Sequence, residues 1–193
     1  MKMKNIAIFA SGEGTNAKSI IDYFKNSDTI NIALVVSNKS SANVLNRAKQ
    51  ANISTLLINR VDFYESNNTI EQLKSFNIDF IVLAGFLWML PKSLIQAYPD
   101  RIINIHPALL PKYGGKGMYG MKVHQAVIEA NEKESGITIH YVNEHYDEGK
   151  IISQHHCSIS KDETAETLAN KIHQLEYEFF PKIIEQVVTG INY

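Results

Sequence analysis

Short runs of β-branched and apolar residues alternate with helix-length amphipathic stretches through the first two thirds of this chain. That alternation restricts the fold more than any other feature, because consecutive strands joined by helices can pair only in parallel within a layered α/β architecture. Strands are expected over 6–10, 32–37, 55–58, 80–84 and 102–105, with helices over 17–24, 43–51, 69–76 and 92–97. A stretch such as "FIVLA", which has no polar alternation, suits a strand covered by helices on both faces.

After a glycine-rich segment the pattern changes. A helix over 122–130 leads to "GITIHYV" and "KIISQHHCSI", which are joined by the polar stretch "NEHYDEG". Two strands so closely connected should pair antiparallel. A last helix is expected from an N-cap at Asp162 to about residue 188, with Pro181 inside it kinking or breaking it. The fold class that follows is α/β: a Rossmann-like open sheet, mostly parallel, with helices on both faces and an antiparallel hairpin on the C-terminal side. No repeat or linker-like stretch interrupts the 193 residues, so one domain over 1–193 is expected.

Charge and cysteine content exclude several classes of function. The 19 Lys and Arg against 20 Asp and Glu provide no basic field for nucleic acid. Cys157 is the only cysteine, so a disulfide framework within the chain is ruled out and a cytoplasmic location is expected. The longest apolar run, "FIVLAGFLWML", falls short of the ~20 residues of a membrane helix.

Three stretches could carry chemistry. In "FASGEGTNAKSII", small residues follow the first strand and open the first helix, where free backbone N–H groups and the helix dipole favour a phosphate. Gly-Lys-Ser/Thr is absent, so this is no Walker A loop; the plainer alternative is a turn that needs glycine for its backbone angles. In "RIINIHPALLPKYGGKGMYG", Asn104 and His106 are two residues apart, roughly 6–7 Å along a strand, and share a face. They either cap the strand end or offer an amide and an imidazole to one reacting carbonyl. Pro107 and Pro111 would stiffen that exit, and the glycines beyond would form a mobile flap. The third stretch, "NEHYDEG", is either a solvated turn or the source of a carboxylate partner for His106 that raises its pKa. His155 and Cys157 share a strand face and could bind a metal, but no second ligand cluster accompanies them, so an edge strand is expected and no metal.

These stretches, with "VLAGFLWMLP" and "HQLEYEFFP", resemble the folate-dependent formyltransferases over essentially the whole chain. The resemblance implies an enzyme that moves the formyl group of 10-formyltetrahydrofolate to an amine, and "SGEGTN" is similar to the branch acting on a glycinamide ribonucleotide in purine synthesis. It implies Asn104, His106 and Asp147 as catalytic residues, with Asn104 and His106 stabilising the oxyanion. Gly14, Thr15, Asn16 and Glu176 would bind the ribonucleotide. Leu87, Trp88, Met89, Leu90, Asn104, Asn143 and Tyr64 would contact the folate. Trp88 stands where some relatives carry arginine, so stacking is expected there, and "INRVDFYES" offers Arg60 and Tyr64 after the third strand. The resemblance implies no permanently bound cofactor, small-molecule partners only, no nucleic acid or membrane, and a monomer or homodimer. A formylfolate hydrolase, or a transferase acting on another amine, would share the catalytic triplet. A non-catalytic nucleotide-binding module would use the glycine loop alone.

Overall fold

The computed structural model describes residues 2–190. Among these residues seven strands form one sheet: β1 (Lys4–Phe9), β2 (Ile30–Ser37), β3 (Ser54–Leu57), β4 (Phe80–Leu83), β5 (Ile102–His106), β6 (Glu134–Tyr141) and β7 (Ile151–Ser158). Their order is β3-β2-β1-β4-β5-β6-β7. The first five pair in parallel, whereas β5 with β6 and β6 with β7 are antiparallel. The helices are α1 (Thr15–Phe24), α2 (Asn43–Gln50), α3 (Arg60–Tyr64), α4 (Asn68–Ser75), α5 (Lys92–Ala97), α6 (Met121–Glu129) and α7 (Ala165–Thr189).

Strand alternation sorts the core into two layers. Ile6, Ile8, Ile103, Ile105, Ile137 and Ile139 pack on one face with residues from α1, α2, α6 and α7. Ala7, Phe9, Ile81, Leu83 and Ile102 pack on the other with Phe63, Leu73 and Leu94 from α3, α4 and α5. Most residues of the central strands thus meet helices above or below, which is why a run such as that of β4 reads as continuously apolar.

Three local expectations need correction. The segment "RVDFY" forms a short helix, α3, started by Asn59, whose side chain accepts the Asp62 N–H at 2.9 Å. The last helix is capped by Thr164, not Asp162. Thr164 accepts from the Thr167 N–H at 3.3 Å while the Thr167 hydroxyl accepts the Thr164 N–H at 3.0 Å, a reciprocal capping box. Pro181 leaves α7 continuous. A proline at 181 deprives the Tyr177 carbonyl of its helical donor, and the Ser19 hydroxyl of α1 supplies one at 3.3 Å.

Candidate active site

A cavity of about 680 Å³ opens at the carboxyl ends of β1, β4 and β5. The sheet order reverses between β1 and β4, so the loops leaving these two strands diverge and leave a crevice between them. Ser11 ties the loops at its base: its N–H donates to the Gly85 carbonyl at 3.0 Å, and its Oγ accepts the Leu87 N–H at 2.9 Å.

At one end of the crevice the loop after β1 turns into α1. Gly14 is the N-cap, with φ 71°. A Cβ there would lie 2.5 Å from Val44 Cβ at the start of α2, so both the backbone angle and the close approach demand glycine. Thr15 and Asn16 begin α1, whose free N–H groups are available to an anion. The Asn16 Nδ2 donates to Glu176 Oε2 of α7 at 2.8 Å, and the Asn16 Oδ1 is buried without a partner. Burial pushes the Glu176 carboxyl up to about 7, against the lowering effect of Asn16.

At the other end, β5 presents Asn104 and His106 on one face while Ile103 and Ile105 enter the core behind them. Asp147 comes from the loop between β6 and β7. Its backbone is left-handed, φ 56°, and two residues later Gly149 packs so closely that a Cβ would lie 1.6 Å from the Tyr141 carbonyl oxygen. These two constraints give the Asp-x-Gly spacing a physical cause: the glycine lets the loop fold back and aim the carboxylate. Asp147 Oδ2 lies 3.5 Å from His106 Nδ1 and accepts the Gly115 N–H at 2.9 Å. Its Oδ1 accepts from Asn104 Nδ2 at 3.4 Å.

The sequence reading missed His140. It stands directly opposite Asn104 in the β5–β6 ladder, is 2 % exposed, and its Nε2 lies 3.1 Å from Asn104 Nδ2. Its Nδ1 lies 2.9 Å from the Tyr141 carbonyl, to which it donates, and its Nε2 also lies 3.6 Å from Asp147 Oδ1. The signal was present: in the alternation of "GITIHYV", His140 shares a face with Thr138, and both side chains serve the site. Thr138 holds the exit from β5 by donating to the Ala108 carbonyl at 2.7 Å and accepting the Leu110 N–H at 3.0 Å. Gln154 of β7 adds a bond to the Leu110 carbonyl at 3.0 Å. The exit is therefore held by hydrogen bonds from neighbouring strands as well as by its prolines.

Asp147 acts on His106 in the expected direction, raising its pKa, but the ring as a whole lies below its ordinary value and is not kept protonated as expected. Burial comes first and lowers it; the Asp147 carboxylate and the Tyr113 carbonyl offset this only in part, and His140 adds to the fall. His106 Nε2 lies 2.7 Å from the Tyr113 carbonyl and donates to it. Both ring nitrogens face oxygen acceptors, so the protonated ring has partners ready, although the buried ring favours the neutral form. Burial likewise disfavours the Asp147 charge, but His140, His106 and the Gly115 N–H outweigh it and keep the carboxyl below its usual range.

The crevice wall between these ends is formed by Leu87, Trp88, Met89 and Leu90 after β4, with Asn143 across from them. Asn143 braces its own loop, accepting the His145 N–H at 2.9 Å and donating to the Glu148 carbonyl at 3.1 Å. Tyr64 does not line the cavity. It supports the wall from behind, donating its hydroxyl to the Met89 carbonyl at 3.0 Å with its ring 5.9 Å from Trp88. The Arg60 guanidinium lies 5.1 Å above the Trp88 ring. Gly115, Gly117 and Gly120 of the glycine-rich segment line the opposite side. His155 stacks on Phe179 at 3.7 Å, the use the edge strand makes of that histidine.

The sequence model of the family described as Formyl transferase matches residues 4–184. The chain belongs to that family. Within it, the chain is 39 % identical over 193 residues to the phosphoribosylglycinamide formyltransferase of Haemophilus influenzae, covering 97 % of this chain and 89 % of that one. It is 37 % identical over 192 residues to the chloroplastic phosphoribosylglycinamide formyltransferase of Arabidopsis thaliana, covering 95 % of this chain. It spans only 65 % of that plant protein's length. The crystal structure of phosphoribosylglycinamide formyltransferase from Bacillus halodurans superposes with a TM-score of 0.86 at 38 % identity, covering 96 % of both chains. The family membership and this superposition establish the mixed α/β sheet as the formyl transferase fold.

Proposed function

We infer that the chain transfers the formyl group of 10-formyltetrahydrofolate to the amine of phosphoribosylglycinamide. The observation that carries this reading is one continuous crevice with an anion-ready helix start and Glu176 at one end and Asn104, His106 and Asp147 at the other. The relatives named above, matched over nearly the whole of this chain, support the choice of substrate. In this reading Gly14, Thr15 and Asn16 receive the phosphate through backbone N–H groups. Glu176 accepts from ribose hydroxyls. The apolar wall from Leu87 to Leu90 takes the folate ring system, and Trp88 with Arg60 above it flanks the way out.

The chemistry proceeds by attack of the amine on the formyl carbon. This forms a tetrahedral centre with a negative oxygen and a positively charged nitrogen. The Asn104 amide moves its long bond from Asp147 to the oxyanion and stabilises it. His106, neutral at the outset because it is buried, holds its hydrogen on Nδ1 toward Asp147 once Nε2 has left the Tyr113 carbonyl, and Nε2 then accepts the proton released by the attacking nitrogen. The imidazolium is stabilised by Asp147 and by the nearby oxyanion. It returns the proton to the folate nitrogen as the carbon–nitrogen bond breaks and the oxyanion collapses to the new formamide. For His106 Nε2 to reach the substrate it must leave the Tyr113 carbonyl, so the segment from Tyr113 to Gly115, itself bonded to Asp147, shifts during the cycle. The near-neutral charge suits small-molecule substrates, the single cysteine suits a cytoplasmic site of action, and the chain works as a monomer or homodimer.

The test is to follow tetrahydrofolate release from 10-formyltetrahydrofolate with and without phosphoribosylglycinamide. Release that requires the ribonucleotide supports the transferase; equal release without it identifies a hydrolase and overturns the reading.

A further inference from the structure

His124 lies in the first turns of α6, directly beyond the glycine segment. It lines the crevice yet is only 3 % exposed. Its Nδ1 is sealed from solvent and has no hydrogen-bond partner. Among the described residues no group bonds its Nε2 either, and with Nδ1 sealed this is the nitrogen left for the cavity. Leaving a buried polar ring without partners is costly, and an imidazole carrying an unpaired N–H into the interior costs more than one with only a lone pair there. The neutral ring therefore carries its hydrogen on Nε2, pointing into the crevice as a donor. The ring stays neutral at physiological pH, since burial first, then the nearby His173 and His106, push its pKa down to about 4.

Those two neighbours line the same crevice as His124. His106 marks the reacting end. His173 lies on α7 one turn before Glu176, and so marks the ribonucleotide end. Between the ribose and the amine, the substrate of the proposed function has a single acceptor that an N–H can bind without blocking the chemistry, the amide carbonyl. The amine itself must keep its lone pair free to attack, and the amide nitrogen is a donor.

We propose that His124 reads the acceptor substrate, donating its Nε2–H to the amide carbonyl of phosphoribosylglycinamide and so setting the distance between the ribose and the attacking amine. This rests on the transferase reading. The residue distinguishes amine substrates that carry a carbonyl at that position from those that do not.

Steady-state kinetics on His124→Leu, which removes the donor, and His124→Gln, which keeps an N–H near the Nε2 position, form the test. With His124→Leu the KM for the ribonucleotide rises about tenfold or more, the KM for 10-formyltetrahydrofolate is unchanged, and His124→Gln recovers most of the loss. Wild type should lose a similar factor with an analogue in which a methylene replaces the carbonyl, and His124→Leu should not distinguish the two compounds. A His124→Leu enzyme that folds and keeps the wild-type ribonucleotide KM overturns the proposal. Should that variant fail to fold, the wild-type protein decides: two-dimensional ¹H–¹⁵N spectra of its imidazoles show an Nε2–H for His124 that shifts on adding the ribonucleotide alone. An Nδ1–H tautomer, or a resonance that ignores the ribonucleotide, overturns it. Wild-type enzyme without ribonucleotide-dependent turnover defeats the transferase reading itself, an outcome distinct from all of these.

Discussion

The side-chain amide of Asn16, in the first turn of α1, donates to the carboxylate of Glu176, deep in α7, across 2.8 Å. This bond joins the anion-ready end of the crevice to the longest helix and holds a carboxyl that is 6 % exposed. Because burial raises its folded pKa to about 7 from an unfolded value of 4.5, the protonated form stabilises the fold. That contribution is fully present below about pH 4.5 and is lost as pH rises through 7. Glu176→Gln, which is neutral at every pH, should melt progressively higher relative to wild type between pH 5 and pH 8, by an amount on the order of 3 kcal/mol. Its ribonucleotide KM should rise at the same time. Thermal melts across that range check the first effect and kinetics the second; parallel melting curves contradict the assignment.

The proline in α7 is accommodated by a residue from another helix. Ser19 gives the Tyr177 carbonyl the donor that Pro181 withholds, so Ser19→Ala should cost about 1 kcal/mol. Pro181→Ala restores the helical N–H, and in that background the Ser19→Ala cost should shrink. A double-mutant cycle by urea unfolding reads the coupling, and strict additivity counts against it.

For the catalytic pair, His106→Ala should still fold, with a lowered melting temperature from the lost buried contacts, and reduce kcat by ~10²–10⁴, the scale of a general acid–base residue. Asn104→Ala should reduce kcat by ~10²–10³ through loss of an oxyanion donor. Single-turnover rates measure both, and near-normal rates would remove either residue from the mechanism.

Asp147 opposes the effect of burial on His106 without overcoming it. Asp147→Asn should therefore lower the His106 pKa further below its ordinary value, moving its titration to more acid pH in an NMR experiment. An unchanged midpoint would show that the carboxylate does not act on the ring.

The architecture was legible because it rests on local periodicity. The run "FIVLA" suited a strand covered on both faces, and the alternation of Asn104 and His106 with the isoleucines put both polar side chains on one face. Asp147 was legible through the resemblance, and Gly149 now explains the spacing. What escaped the sequence depends on distant contacts. His140 matters because β6 runs antiparallel to β5 and sets it opposite Asn104. Pro181 is tolerated because Ser19, on another helix, lies beside it. The five residues of α3 are too few to display a period. The net lowering of the His106 pKa follows from burial, which no local pattern reports. At the last helix, Asp162 and Thr164 are both good caps on paper, and the reciprocal partner Thr167 selects the second.

The most direct measurement of the account is the fate of the formyl carbon. With ¹³C-formyl tetrahydrofolate and phosphoribosylglycinamide, NMR of the complete reaction should show the label arriving on the glycinamide nitrogen, one formamide for each tetrahydrofolate released, with none of it as formate. Label recovered as formate, or left on the folate while the ribonucleotide is present, would contradict it.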